Sequence, residues 1–116
     1  MKVLFILNEA PYGSEHTYNA LRLARTLLKS GQASIRVFLI GDGASAAHAG
    51  QKVPQGYYNI ADMLALLTKY GGEIAVCGTC MDARGLTEAN LVEGAQRGTM
   101  EILSEWTLAA DKVLTF

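Results

Sequence analysis

Cysteine, proline and histidine are scarce in this chain, with two of each in 116 residues. Two cysteines three positions apart would close only a tiny loop, so they cannot form the framework of a disulfide-stapled secreted domain. His16 and His48 stand far from each other and from the cysteines. One C-x-x-C supplies two of the four donors a structural zinc needs, so no metal site is expected. An excess of one charge is also missing. Ten basic residues face 11 acidic ones, for a net charge of -1, and no basic patch is left to neutralise a nucleic-acid backbone. No apolar run approaches the roughly 18 residues of a membrane helix. Neither a G-x-G-x-x-G nor a P-loop lysine is present, which removes the usual nucleotide signatures. No cofactor is expected.

What is present is a globular composition, 50% hydrophobic and 18% charged. A chain of this length buries roughly two-thirds of the surface its unfolded form exposes. We expect one domain over residues 1–116. The modest charge suggests that other subunits cover part of the surface. The amino terminus, Val3 to Leu7, reads as a buried strand rather than a leader, because Asn8 and Glu9 interrupt it. The chain is expected to be cytoplasmic and reduced.

Hydrophobic spacing predicts the order β-α-β-α-α-β-α-β-α-β. That order implies a three-layer α/β/α fold around a mostly parallel sheet of about five strands. Ser14 is placed to cap the first helix, whose inner face carries Ala20, Leu21, Ala24, Leu27 and Leu28. The second strand is Ile35–Ile40, followed by an alanine-rich helix over 44–49. Asn59 caps a helix with Ile60, Met63, Leu64, Leu67 and Tyr70 inward. A third strand, 73–76, delivers Cys77. Thr87 caps a helical turn, Leu91–Ala95 reads as a short fourth strand, and Thr99 caps a last helix with Met100, Leu103, Ala110 and, in part, Trp106 inward. Lys112–Phe116 closes the sheet.

The segment Ile74-Ala75-Val76-Cys77-Gly78-Thr79-Cys80-Met81-Asp82-Ala83-Arg84-Gly85 carries the chemistry. Open α/β sheets bind ligands at the carboxyl ends of their strands, where Cys77 falls. A thiol must lose its proton to react. Backbone N–H groups near Gly78 and Thr79 would favour the thiolate, Arg84 would help and Asp82 would oppose. The bland alternative is a buried structural cysteine. Cys80 makes a C-x-x-C, which fits a redox dithiol, a partial zinc site, or a working thiol with an accessory or resolving partner. Both prolines precede Cys77, whereas a thioredoxin-like pair relies on a later one. The third reading is preferred. The first strand ends in Pro11-Tyr12-Gly13-Ser14 at the same sheet edge, so Tyr12 and Gly13 are expected to wall an open cysteine pocket. His16, His48 and the Arg22, Arg25 and Lys29 stripe read as solvated surface, and Asp42 as turn chemistry.

With these residues placed, the chain resembles the DsrE/DsrF-like (YchN-like) family, which includes the TusD subunit of a bacterial tRNA-thiolation sulfur relay. The likeness spans nearly the whole chain. Ala10-Pro11-Tyr12-Gly13 matches the loop after the first strand. Cys77 is followed seven and eight residues on by Arg84 and Gly85. Ala109-Ala110-Asp111-Lys112-Val113-Leu114-Thr115-Phe116 matches the closing segment. The resemblance implies a homo-oligomeric or hetero-oligomeric protein, often trimeric or hexameric and here expected as a homo-oligomer, in which Cys77 accepts sulfane sulfur as a persulfide from a donor protein and passes it to an acceptor. TusD-type sequences carry a small apolar residue where this chain has Cys80. The function expected is therefore sulfur relay or persulfide handling, with sulfurtransferase activity. The alternatives are a non-catalytic oligomeric module for a small ligand or partner, and a C-x-x-C dithiol oxidoreductase.

Overall fold

The apolar run at the amino terminus forms β1 (Lys2–Leu7), the hub of a five-stranded, fully parallel sheet in a computed structural model that describes residues 1–116. β2 (Ser34–Leu39), β3 (Glu73–Cys77), β4 (Ala95–Gly98) and β5 (Lys112–Thr115) complete the order β4-β3-β2-β1-β5. Register pairs Phe5 with Val37 and with Leu114, and Cys77 with Gly98. The helices are α1 (His16–Lys29), α2 (Ile60–Lys69), α3 (Gly78–Ala83) and α4 (Met100–Ala109).

Successive side chains of a strand point to opposite faces, and the core divides accordingly. Val3, Phe5, Leu7, Ile35, Val37, Leu39, Ile74 and Val76 enter a cluster of 22 buried residues with α1 and α2. Leu4, Phe38, Ala75 and Cys77 point the other way, into a five-residue cluster closed by Trp106 of α4. Phe38 meets Trp106 edge to face, with ring centroids 6.3 Å apart. The three-layer architecture holds, with layers of unequal thickness.

Several local expectations are corrected. Leu91 and Val92 are buried in the larger core but belong to no strand; β4 starts at Ala95, where the chain comes alongside β3. The alanine-rich segment is a 3-10 helix over Gly41–Ala47. A Cβ at Gly43 would lie 2.2 Å from the Leu7 carbonyl oxygen, so the turn packs directly on the end of β1. Glu15, not Ser14, holds the N-cap position of α1, which starts at His16. The Ser14 hydroxyl still accepts the His16 backbone N–H at 3.4 Å while it donates to the Glu9 carboxylate, and His16 pairs with the same carboxylate at 2.9 Å. Tyr70 and Met100 are 63% and 61% exposed rather than inward. Asn59 and Thr99 cap α2 and α4 by accepting the backbone N–H three residues on, and Thr87 forms a capping box with Asn90.

Candidate dithiol site

β3 ends at Cys77, and α3 begins at the next residue, so Cys77 occupies the N-cap position and Cys80 the third helical residue. One turn of helix brings these two positions together. Both cysteines are free, and their sulfurs are 2.6 Å apart, with the Cys80 thiol donating to Cys77. The spacing is shorter than an ordinary contact between non-bonded sulfurs and longer than the roughly 2.0 Å of a disulfide bond. Thr79 places its hydroxyl 3.4 Å from Cys77 Sγ. The Gly41 backbone N–H, from the turn after β2, donates to Cys80 Sγ at 3.2 Å.

These contacts separate the two thiols. Burial pushes the Cys77 thiol up, but hydrogen bonds from the Cys80 thiol, the Thr79 hydroxyl and the backbone N–H groups of both residues outweigh it. Cys77 therefore ionises below its ordinary value. Burial pushes Cys80 up as well, and its hydrogen bond to Cys77 and the charge of Cys77 push it further. The Gly41 N–H and Arg84 offset only part of that rise. The pair has one sulfur disposed to be thiolate and one disposed to keep its proton.

Two arginines frame the pair. Arg84 donates to the Cys80 carbonyl at 3.1 Å and to Asp42 at 2.6 Å, so Asp42 does reach this edge, as the counter-ion of Arg84. Arg97, on β4, forms a forked bond with Asp82 at 2.8 and 2.9 Å. Its guanidinium also covers Gly78, where an added Cβ would lie 2.7 Å from Nε. Both guanidiniums bind their protons more tightly than usual, chiefly through the aspartate each one engages. Asp82 thus faces Arg97 rather than opposing the thiolate directly. Sequence reasoning missed Arg97, which lies 20 positions beyond Cys77. Only the pairing of Cys77 with Gly98 brings it near.

The structure gathers Cys77, Gly78, Thr79, Cys80 and Arg84. It places Tyr12 and Gly13 in a different set of contacts. The Tyr12 hydroxyl donates to Gln51 at 2.7 Å and accepts from the Ile60 N–H at 3.1 Å, and its ring stacks on Tyr58. Neither thiol is among its partners. Gly13 has φ of 105° with open space around it, a turn conformation that favours glycine. Cys77 is only 7% exposed, in a small buried cluster that also holds Leu4, Phe38, Ala75 and Trp106, and it is flanked in the chain by exposed Thr79 and half-buried Cys80.

Two roomy surface cavities lie elsewhere. One of about 450 Å³ runs between α1 and α2, lined by Leu21, Arg25, Leu28, Met63 and Tyr70 among others. One of about 610 Å³ flanks α2 near Glu93 and Gly94. Neither contains a cysteine or histidine, so chemistry favours the dithiol over the larger spaces. No group of three or more His, Cys, Asp or Glu side chains is placed to hold a metal ion.

Comparison with known proteins gives the family and the fold. The model of the DsrE/DsrF-like family matches residues 1–116. The chain is 44% identical over 116 residues to Protein YchN of Escherichia coli K12, covering 99% of this chain and 98% of that protein. The crystal structure of the E. coli ychN protein superposes with a TM-score of 0.94, covering 100% of this chain and 99% of that one. A TusC homolog of Vibrio parahaemolyticus is 32% identical over 121 residues, covering 99% of this chain and 98% of its own length. A protein of unknown function from Methanobacterium thermoautotrophicum shares the fold, with a TM-score of 0.77 at 17% identity and 97% coverage of both chains.

Proposed function

The chain belongs to the DsrE/DsrF-like family, and from that premise we propose that it handles persulfide sulfur, with Cys77 taking sulfane sulfur from a donor. The observation that carries this reading is the asymmetry of the dithiol. Cys77, at the strand end, receives hydrogen bonds from the Cys80 thiol and the Thr79 hydroxyl and ionises below its ordinary value. Thiolate is the form that attacks a donor persulfide. Likeness to a TusC homolog supports placing the chain near sulfur-relay chemistry.

In the proposed step, Cys77 thiolate attacks the outer sulfur of a donor persulfide. The new bond joins Cys77 Sγ to that sulfur, the donor's sulfur–sulfur bond breaks, and the donor leaves as a thiolate. Gly78, under the Arg97 guanidinium, and Thr79 shape the approach, and Arg84 fixes the Cys80 backbone. Tyr12 and Gly13 act at one remove, by setting the loop after β1. Donor and acceptor proteins, a cytoplasmic setting and a trimeric or hexameric assembly complete the proposal. Exposed Met100, Leu108 and Val113 on the α4 side of the sheet favour such an assembly. No helix is long and apolar enough to cross a membrane.

A second reading, dithiol oxidoreductase, is favoured by the adjacency of two free thiols in a C-x-x-C at a helix start. One experiment separates the two. The protein is treated with a small alkyl persulfide and weighed intact. Gain of one sulfur by the Cys80→Ser variant, lost in Cys77→Ser, supports the persulfide reading. No gain in any variant, with a reducible Cys77–Cys80 disulfide in the wild type, supports the oxidoreductase.

A further inference from the structure

A simple sulfur carrier needs one thiol and benefits from keeping others away from its persulfide. Here the second sulfur touches the first at 2.6 Å, and it is fixed there by three contacts. Its own thiol donates to Cys77, the Gly41 N–H donates to it, and Arg84 holds the carbonyl of the same residue. Cys80 is also the more accessible of the two cysteines, half-buried where Cys77 is buried. The carrier reading leaves this arrangement without a purpose.

Resting on the persulfide reading above, we propose that the pair releases sulfide: Cys80 attacks the loaded Cys77 and expels the sulfane sulfur as hydrosulfide. The nearest electrophile to Cys80 is Cys77 Sγ itself, the inner sulfur of the persulfide. Attack there forms the Cys77–Cys80 disulfide and breaks the bond to the outer sulfur. The electron pair of that bond leaves with the outer sulfur, and the Cys80 proton goes with it as HS⁻. The two cysteine sulfurs are together oxidised by two electrons, and the sulfane sulfur is reduced by two. A dithiol reductant of the thioredoxin class then supplies two electrons and two protons to reopen the disulfide.

The resting geometry suits this order of events. Burial, and then the hydrogen bond to Cys77 and the charge on it, keep the proton on Cys80 before loading. Once Cys77 carries a second sulfur, the negative charge moves to the outer atom and that restraint on Cys80 weakens. The Gly41 N–H remains to stabilise the Cys80 thiolate as it forms. Attack within a preset pair also gains the large effective concentration of an intramolecular reaction.

The test is a single turnover without reductant. Reduced protein is mixed with one equivalent of cysteine persulfide, free sulfide is followed with a sulfide-selective electrode, and intact mass is recorded. The wild type should release about one sulfide per chain and finish as the Cys77–Cys80 disulfide. Cys80→Ser should keep the added sulfur, with release slowed by at least about 100-fold. A dithiol reductant should restore further rounds in the wild type. Cys80→Ala serves as a second variant, and the disulfide in the wild type is a readout that needs no variant. A wild type that holds a stable persulfide as Cys80→Ser does would overturn sulfide release and leave the carrier reading intact. Equal release from both proteins would overturn it too. No added sulfur on Cys80→Ser, together with no sulfide released by the wild type, would overturn both readings.

Discussion

The two faces of the sheet are built to different depths. Behind one, α1, α2 and the 3-10 turn close over 22 buried residues; behind the other, α4 closes over five. Apolar burial stabilises in rough proportion to area, so the deep face holds the fold. Cys77 sits on the shallow face, in the same small cluster as Phe38, and that face also carries exposed apolar side chains such as Leu108, 85% exposed. The lesson is a division of labour within one sheet: alternate residues of β3 serve the core through Ile74 and Val76 and the site through Ala75 and Cys77.

The largest test of that division is truncation of one aromatic on each face. Phe5→Ala, on the deep face, should cost about 5 kcal/mol, and Trp106→Ala, on the shallow face, about 3 kcal/mol. Midpoints of urea unfolding check both. A Trp106→Ala loss equal to or above that of Phe5→Ala would dissolve the contrast between the faces.

A smaller effect sharpens it. Asn59 caps α2 on the deep face and Thr99 caps α4 on the shallow one by the same hydrogen bond, at 3.0 and 3.2 Å. Each cap replaced by alanine should cost about 1 kcal/mol. Hydrogen exchange should then show the Thr99→Ala loss confined to α4 and β5, and the Asn59→Ala loss spread through the global unfolding reaction.

The smallest effect is on pH-dependent stability, because the two thiols act in opposite senses. Cys77 ionises more easily folded than unfolded. Its contribution is present above the unfolded thiol value near 9.0 and is lost as pH falls through the lower folded value. Cys80 is raised, so its contribution is present below the unfolded value and lost as pH rises through the folded one. The two offset in the melting temperature and must be read separately. Site-resolved alkylation should find Cys77 reacting first, with a pH midpoint below that of an ordinary thiol, and Cys80 following at higher pH. The reverse order would reassign the nucleophile.

Features written in neighbouring residues were legible beforehand. The continuous runs of β1 and β2, the caps at Asn59, Thr87 and Thr99, and the strand-to-helix step at Cys77 all rest on local chemistry. β4 was not. Ala95-Gln96-Arg97-Gly98 has little β-propensity, and it is a strand because β3 presents its edge there. The apolar Leu91-Val92 looks like the better strand, but those side chains fill the core, and the backbone makes only an isolated bridge to His48 rather than joining the sheet. The 3-10 helix at Gly41–Ala47 differs from the alanine-rich helix expected over 44–49 for a related reason, since its close packing on Leu7 is a tertiary constraint that alanine content does not reveal. Tyr12 was placed at the sheet edge correctly as a loop residue, but its hydroxyl bolts that loop to the start of α2.

The aspartates beside the dithiol have an effect beyond the site. Arg84 is matched by Asp42 and Arg97 by Asp82, so each guanidinium forms a compact dipole rather than a free cation. Opposite charges so close cancel within about a Debye length, roughly 8 Å at physiological salt. An incoming sulfur donor would feel almost no pull at long range. Its rate of encounter should therefore be nearly indifferent to salt, and shape at the point of contact must select it.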